Sequence, residues 1–245
     1  MSTKLTPRAG RRATFWRIIT VAVAAVLWLP LSARAQNPNP KVLPPSSALS
    51  GLTYGEWSAR WWQWIMAIPA PTNPLTDVDG RFCSVDQSGR VWFLAGSFGY
   101  GDYVRSCTVP LGRAIFVPLA DAFCAAVPFD NPTGDAARQC AAAYVQHEVE
   151  IRGELDGVRL QGLNRYRFQS PIWDFALGPD NVLGAPPDLY KALAADGTYV
   201  MFTPLTPGPH TLKFIWHLLP FFDEWNFVDV AEGYSEVTTY HLTVR

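Results

Sequence analysis

Much of the usual chemical vocabulary is missing from this 245-residue sequence. Its four cysteines form no Cys-x-x-Cys pair, which removes the close-spaced zinc and thiol-redox motifs. No serine sits in a G-x-S-x-G elbow, so a nucleophile of that type has no support. Histidine is scarce, and no third ligand accompanies any pair, which leaves a metal site without a basis. No internal repeat is visible. The first thirty-five residues contain no aspartate or glutamate. Their apolar run, Ile18 to Leu31, falls short of the roughly 20 residues of a comfortable bilayer span.

What is present in that stretch is basic: Lys4, Arg8, Arg11, Arg12 and Arg17 precede the apolar run, and Ala33-Arg34-Ala35 follows it. A basic segment, a short apolar core and a small-x-small site together predict a signal peptide cleaved after Ala35, with no transmembrane anchor left behind. Phe15 lies one residue too far from Arg11-Arg12 for the twin-arginine pattern, so the general secretory route is the expectation. No cysteine follows the cleavage site to receive a lipid. Cleavage removes six of the twenty basic residues and none of the twenty-one acidic ones, leaving a mature charge of −7. A mildly acidic chain has no electrostatic footprint for nucleic acid.

An even set of cysteines in a chain bound for an oxidising compartment predicts structural disulfides, with the sequential pairs Cys83 with Cys107 and Cys124 with Cys140 preferred among three connectivities. Residues 36–50 combine prolines with small polar residues and read as a flexible tether, so the single folded domain is expected over 51–245. Thr53-x-x-Glu56 offers a capping box. Behind it Tyr54, Trp57, Trp61, Trp64, Ile65 and Ile68 share one helical stripe that Pro69 and Pro71 end. Trp62 falls to one side of the stripe, with Ser58 and Met66, and is read equally as packing or as an exposed binding residue.

The period then changes. RVWFLA (90–95), RAIFVPL (113–119) and successive segments from Glu148 to the C-terminus read as short strands, with a second helix starting at Asn131-Pro132 and ending near Gln146. In the last two strands Leu212, Phe214 and Trp216, and Tyr240, Leu242 and Val244, each take one face. This pattern predicts a mainly β fold: an antiparallel sandwich, immunoglobulin-like or jelly-roll-like, with a docked N-terminal amphipathic helix and one further short helix. The run GTYVMFTPLTPGPHTLKF resembles the late-strand hairpin of bacterial immunoglobulin-like domains, a likeness of about forty residues that implies architecture alone. The opening YGEWSARWWQW, with the cysteine-flanked strands behind it, resembles a group of bacterial exported proteins with no assigned activity. That resemblance carries over no functional residue.

Candidate sites are therefore read from residue chemistry. The connection 218–230, LLPFFDEWNFVDV, is unusually aromatic for a loop. Phe221, Phe222 and Trp225 either plug the core or form a platform for a ligand, with Asp223 and Glu224 beside it as acceptors. His217 and His241 point away from the buried faces of their strands and are the weak metal candidates. His147 and His210 have structural explanations at a helix end and a strand start. Glu148 and Glu150 share a face with Arg152, which reads as solvated charge rather than a catalytic pair. The expected function is an exported envelope or extracellular binding protein, non-catalytic, without a cofactor, and taking a saccharide or another envelope component. The alternatives are a hydrolase whose carboxylates assemble only in the fold, with Glu56, Asp174, Asp223 and Glu224 as members, and a structural subunit of an envelope complex. A convergent, partly buried carboxylate pair in a cleft favours the enzyme; a shallow aromatic strip favours glycan binding.

Overall fold

A computed structural model describes residues 38, 39, 41–97, 101–125, 134–223, 228–230 and 234–245. The chain divides into Met1–Ala35 and Gln36–Arg245, and the second unit is the one described. Among its described residues are two α-helices, α1 (Tyr54–Ala67) and α2 (Gly134–Val145). The strands are β1 (Val91–Phe93), β2 (Gly101–Val109), β3 (Ala114–Cys124), β4 (Glu148–Leu155), β5 (Val158–Arg159), β6 (Arg167–Gln169), β7 (Trp173–Ala176), β8 (Leu189–Phe202), β9 (Gly208–Leu218), β10 (Phe221–Asp223), β11 (Val228–Val230) and β12 (Tyr234–Val244).

Ten of these strands form two five-stranded sheets. One runs β1-β3-β8-β6 with β7 also on β8; the other runs β2-β12-β9-β4-β5. Mainly β architecture in a sandwich-like arrangement is thus what the alternating patterns dictate. Pairing is not wholly antiparallel, however: β1 runs parallel to β3, and β2 parallel to β12. The reason is topological, because the chain leaves β1, crosses to the other sheet as β2, and returns as β3, so the two ends of that crossover meet in parallel. Residues 114–120 of β3 and 193–202 of β8 are buried without interruption, as expected of strands covered on both faces. In the second sheet β12 alternates, with Glu236, Thr238, Tyr240, Leu242 and Val244 inward.

The capping box forms as the sequence dictates: Glu56 N–H donates to Thr53 Oγ1 and Thr53 N–H to Glu56 Oε2. The helix it starts is more deeply embedded than an amphipathic surface helix. Trp57, Trp61, Trp62 and Trp64 are all at most 9% exposed, so Trp62 is a packed residue and not a surface one. Trp61 Nε1 donates to Leu94 O at 2.8 Å, satisfying the one polar atom its burial would otherwise strand. Both sequential disulfides are present: Cys83–Cys107 ties the segment after α1 to β2, and Cys124–Cys140 ties α2 to the end of β3.

The stretch before α1 corrects the expectation of a tether. Val42 is 2% exposed and bridges Phe202; Leu43 N–H donates to Met201 O, and Thr203 N–H to Lys41 O, both at 2.8 Å. Asn39 exchanges two hydrogen bonds with Gln161. Prolines at 44 and 45 do not prevent this, since a segment running along the end of β8 needs only some of its N–H groups.

Candidate functional site

A cavity of about 180 Å³ opens where α1, the second half of β3 and the inner faces of β9 and β12 meet. Its walls include Trp61 and Trp62 from α1, Pro118 to Asp121 from β3, Phe214 and Trp216 from β9, Glu236 from β12, and Gly96 and Ser97 after β1. Two carboxyl groups and three tryptophans thus face one small space, and among the described residues no lysine, arginine or histidine lines it.

Each acid is placed by a specific feature of its strand. On β3 the register slips between Pro118 and Ala120, leaving Leu119 as an extra residue. The bulge inverts the strand's alternation, so Asp121 and Phe123 share the side of Phe116. Contacts of Phe116 with Tyr54 and of Phe123 with Trp62 mark that side as the one under α1. Opposite Asp121 on β8 stands Gly197, where a Cβ would lie 2.3 Å from the Asp121 Cβ and 2.7 Å from Ala120 O. Only glycine leaves room there. On β12, Glu236 faces inward by simple alternation beside its cross-strand partner Trp216.

The environments of the two acids differ. Asp121 Oδ2 is buried and makes no hydrogen bond of good geometry, while the residue keeps part of its surface open. Desolvation drives its pKa up to about 8; the neighbouring Tyr199 hydroxyl and Trp62 indole oppose this, and the charge of Glu236 adds to it. Glu236 is also raised by desolvation, but several partners favour its charged form. Oε1 accepts from Thr238 Oγ1 at 2.5 Å, Oε2 accepts from Trp216 Nε1 at 3.2 Å, Ser97 adds a further hydrogen bond, and Arg105 supplies a nearby positive charge. Arg105 is itself fully buried on β2. Its Nη1 donates to Ala95 O, Gly96 O and Tyr240 Oη, and its guanidinium lies over the rings of Tyr103 and Tyr240. That cation holds the Ala95-Gly96 edge of the cavity.

A second constellation imitates a catalytic triad without being one. His210 Nδ1 is 2.7 Å from Asp156 Oδ2, and Nε2 is 3.3 Å from Thr206 Oγ1. Yet Nε2 is also 2.9 Å from the Thr206 carbonyl, which can only accept. Burial disfavours the charged ring, but the acceptors at both nitrogens outweigh it and raise the pKa, and neither nitrogen is left open to a substrate. The ring clamps the turn before β9 to the β4-β5 turn.

The residues singled out in the sequence are distributed otherwise. Phe221, Phe222 and Asp223 supply the backbone of β10; their side chains, and Glu224 and Trp225 entirely, lie outside the described residues. Trp62 lines the cavity. The strands of His217 and His241 do pair, but the two residues oppose Ser235 and Thr211, six register positions or about 20 Å apart on the same face. His217 Nε2 instead approaches Glu150 Oε2 at 3.5 Å. Of the proposed acids, Glu56 is the capping residue, and Asp174 Oδ1 accepts from Ala192 N–H at 2.9 Å. Neither reaches the cavity. Asp121 and Glu236 were missed. Glu236 had a readable signal, since the face of Tyr240 and Leu242 extended four residues back reaches it; Asp121 had none, because a bulge reverses its side.

No protein-family model matches the chain, and no curated protein matches it significantly. Among the described residues no helix is long and apolar enough to cross a membrane, and no group of three or more His, Cys, Asp or Glu is placed to hold a metal.

Proposed function

We propose that this is an exported binding protein whose site is the cavity between the sheets, and that it takes a single neutral sugar ring or a polyol of that size. The carrying observation is a space walled by Trp61, Trp62 and Trp216 with two carboxyl groups that need no charged ligand. Burial pushes the pKa of Asp121 up to about 8 and raises that of Glu236 too, against which its hydrogen-bond partners and Arg105 act. A protonated carboxyl both donates and accepts, a carboxylate accepts, and indole faces receive the C–H face of a sugar. The volume of 180 Å³ is well under the roughly 300 Å³ at which larger ligand sites begin, which restricts the ligand to about one ring. The basic, apolar and small-x-small segments of residues 1–35 and the two disulfides support export.

Titration of the chain from Gln36 with glucose, galactose, mannose, xylose and N-acetylglucosamine tests this by calorimetry and tryptophan fluorescence. Saturable heat and altered emission with at least one sugar, abolished by Trp216→Ala, are expected. Absence of both with every sugar at millimolar concentration overturns the reading.

A further inference from the structure

We propose that the cavity also cleaves what it binds, with Asp121 as the general acid and Glu236 as the general base of glycoside hydrolysis. This rests on the saccharide reading above and adds an activity to it.

The geometry argues for chemistry beyond recognition. The two carboxyls enter from different sheets, Asp121 on β3 and Glu236 on β12, and converge on one space. Asp121 Oδ2 is buried with only the Tyr199 hydroxyl and the Trp62 indole beside it, neither in good hydrogen-bond geometry and neither a cation. Three features combine to hold it there: the extra residue at Leu119, the glycine at 197, and the walls made by Trp62 and Tyr199. An asparagine or a leucine at 121 would be the cheaper occupant of such a position. Burial raises Glu236 as well, but Thr238 and Trp216 orient it and, with Ser97 and Arg105, act toward its charged form, partners that Asp121 has fewer of. One acid set up to hold a proton and another set up to receive one is the division of labour that glycoside hydrolysis requires.

With one ring in the cavity, the bond cleaved joins that ring to a group at the mouth, where Gly96, Ser97 and Trp216 keep part of their surface open. Asp121 gives its proton to the glycosidic oxygen as the bond from the anomeric carbon breaks, and the bonding pair leaves with that oxygen. A solvent water adds to the anomeric carbon and gives a proton to Glu236. Transfer of that proton through solvent back to Asp121 closes the cycle, with one glycoside and one water converted to a free sugar and an alcohol.

The test uses 4-nitrophenyl and methyl glycosides, both anomers, of the five sugars above, with the wild-type mature chain and two variants. The wild type should release 4-nitrophenol. Glu236→Gln should lower kcat about 100-fold or more on both kinds of glycoside, the usual scale of a lost base. Asp121→Asn should cost as much on methyl glycosides and less than about tenfold on 4-nitrophenyl ones, whose leaving group departs without a proton. Equal losses on both leaving groups overturn the acid role of Asp121. Far-UV circular dichroism like that of wild type and a cooperative urea transition show that both variants are folded. If either variant does not fold, the wild-type pH profile decides. Activity on methyl glycosides should fall above about pH 8 while that on 4-nitrophenyl glycosides falls less, and coincident profiles overturn the proposal. A wild type that binds sugar and hydrolyses none of the glycosides overturns hydrolysis and leaves binding standing; one that binds no sugar overturns both.

Discussion

Replacing Asp121 by asparagine should stabilise the protein, and the size of the gain should depend on pH in a prescribed way. In the unfolded chain the carboxyl ionises near 3.8; in the fold, desolvation holds it protonated to about pH 8. The native state therefore binds more protons than the unfolded state between those values, so stability is greatest below pH 4, falls as pH rises to about 8, and then levels. Each pH unit within the window costs about 1.4 kcal/mol, which makes roughly 4 kcal/mol at pH 7 and between 1 and 2 kcal/mol at pH 5. Relaxation around the group reduces these figures, so a gain of about 2 to 4 kcal/mol at pH 7 is expected for a neutral isostere. Urea unfolding of wild type and Asp121→Asn at pH 4, 5, 7 and 8.5, with disulfides intact, measures the difference directly. Because the charge of Glu236 adds to the shift of Asp121, the difference also includes the relief of that repulsion, which has the same sign. A gain that grows from near zero at pH 4 to a plateau above pH 8 is the expected result. Parallel stability curves, or an asparagine variant that is weaker at pH 8.5, would refute the account of Asp121 as a buried neutral acid.

Double replacement of Cys83 and Cys107 by serine should lower stability by about 3 kcal/mol, the chain-entropy value for a separation of 24 residues, and is checked by urea midpoint. Thiol titration of the native protein should find no reactive cysteine, and one found there would contradict the bond assigned to it. The His210 clamp should act in the opposite pH window from acid denaturation. Burial disfavours its charged form, but Asp156 and the Thr206 carbonyl outweigh it, and the folded-state pKa is raised. Its contribution, about 0.5 kcal/mol after solvent screening, is present below pH 6.5 and lost as pH rises through the raised value. His210→Gln should therefore narrow that pH dependence, as read from thermal midpoints between pH 5 and 8.

How much of this was legible depends on whether position in the chain or position in space sets a residue's surroundings. The Thr53 capping box, the stripe of Tyr54, Trp57, Trp61 and Trp64, and the faces of β9 and β12 follow from spacings of three, four and two residues, and each formed as read. For Trp62 the sequence left packing and binding equally open, because its burial involves Phe123 on β3, seated at a ring distance of 4.4 Å, which nothing near residue 62 announces. The docked segment around Val42 did not form as read, since its partners lie at Met201, Phe202 and Thr203. The same division separates the two acids. Glu236 obeys the alternation of its own strand, and weighing its face would have placed it inside. Asp121 breaks the alternation of its strand: a strict two-residue period groups it with Ile115 and Val117, away from α1, and one extra residue at Leu119 reverses that. The residue on which the proposed chemistry turns is thus the one whose orientation depends on a bulge on β3 and on a missing Cβ at Gly197, seventy-six positions later in the chain. A substitution at Gly197 should disable the site as surely as one at Asp121, since any side chain there must displace the carboxyl or the backbone that carries it.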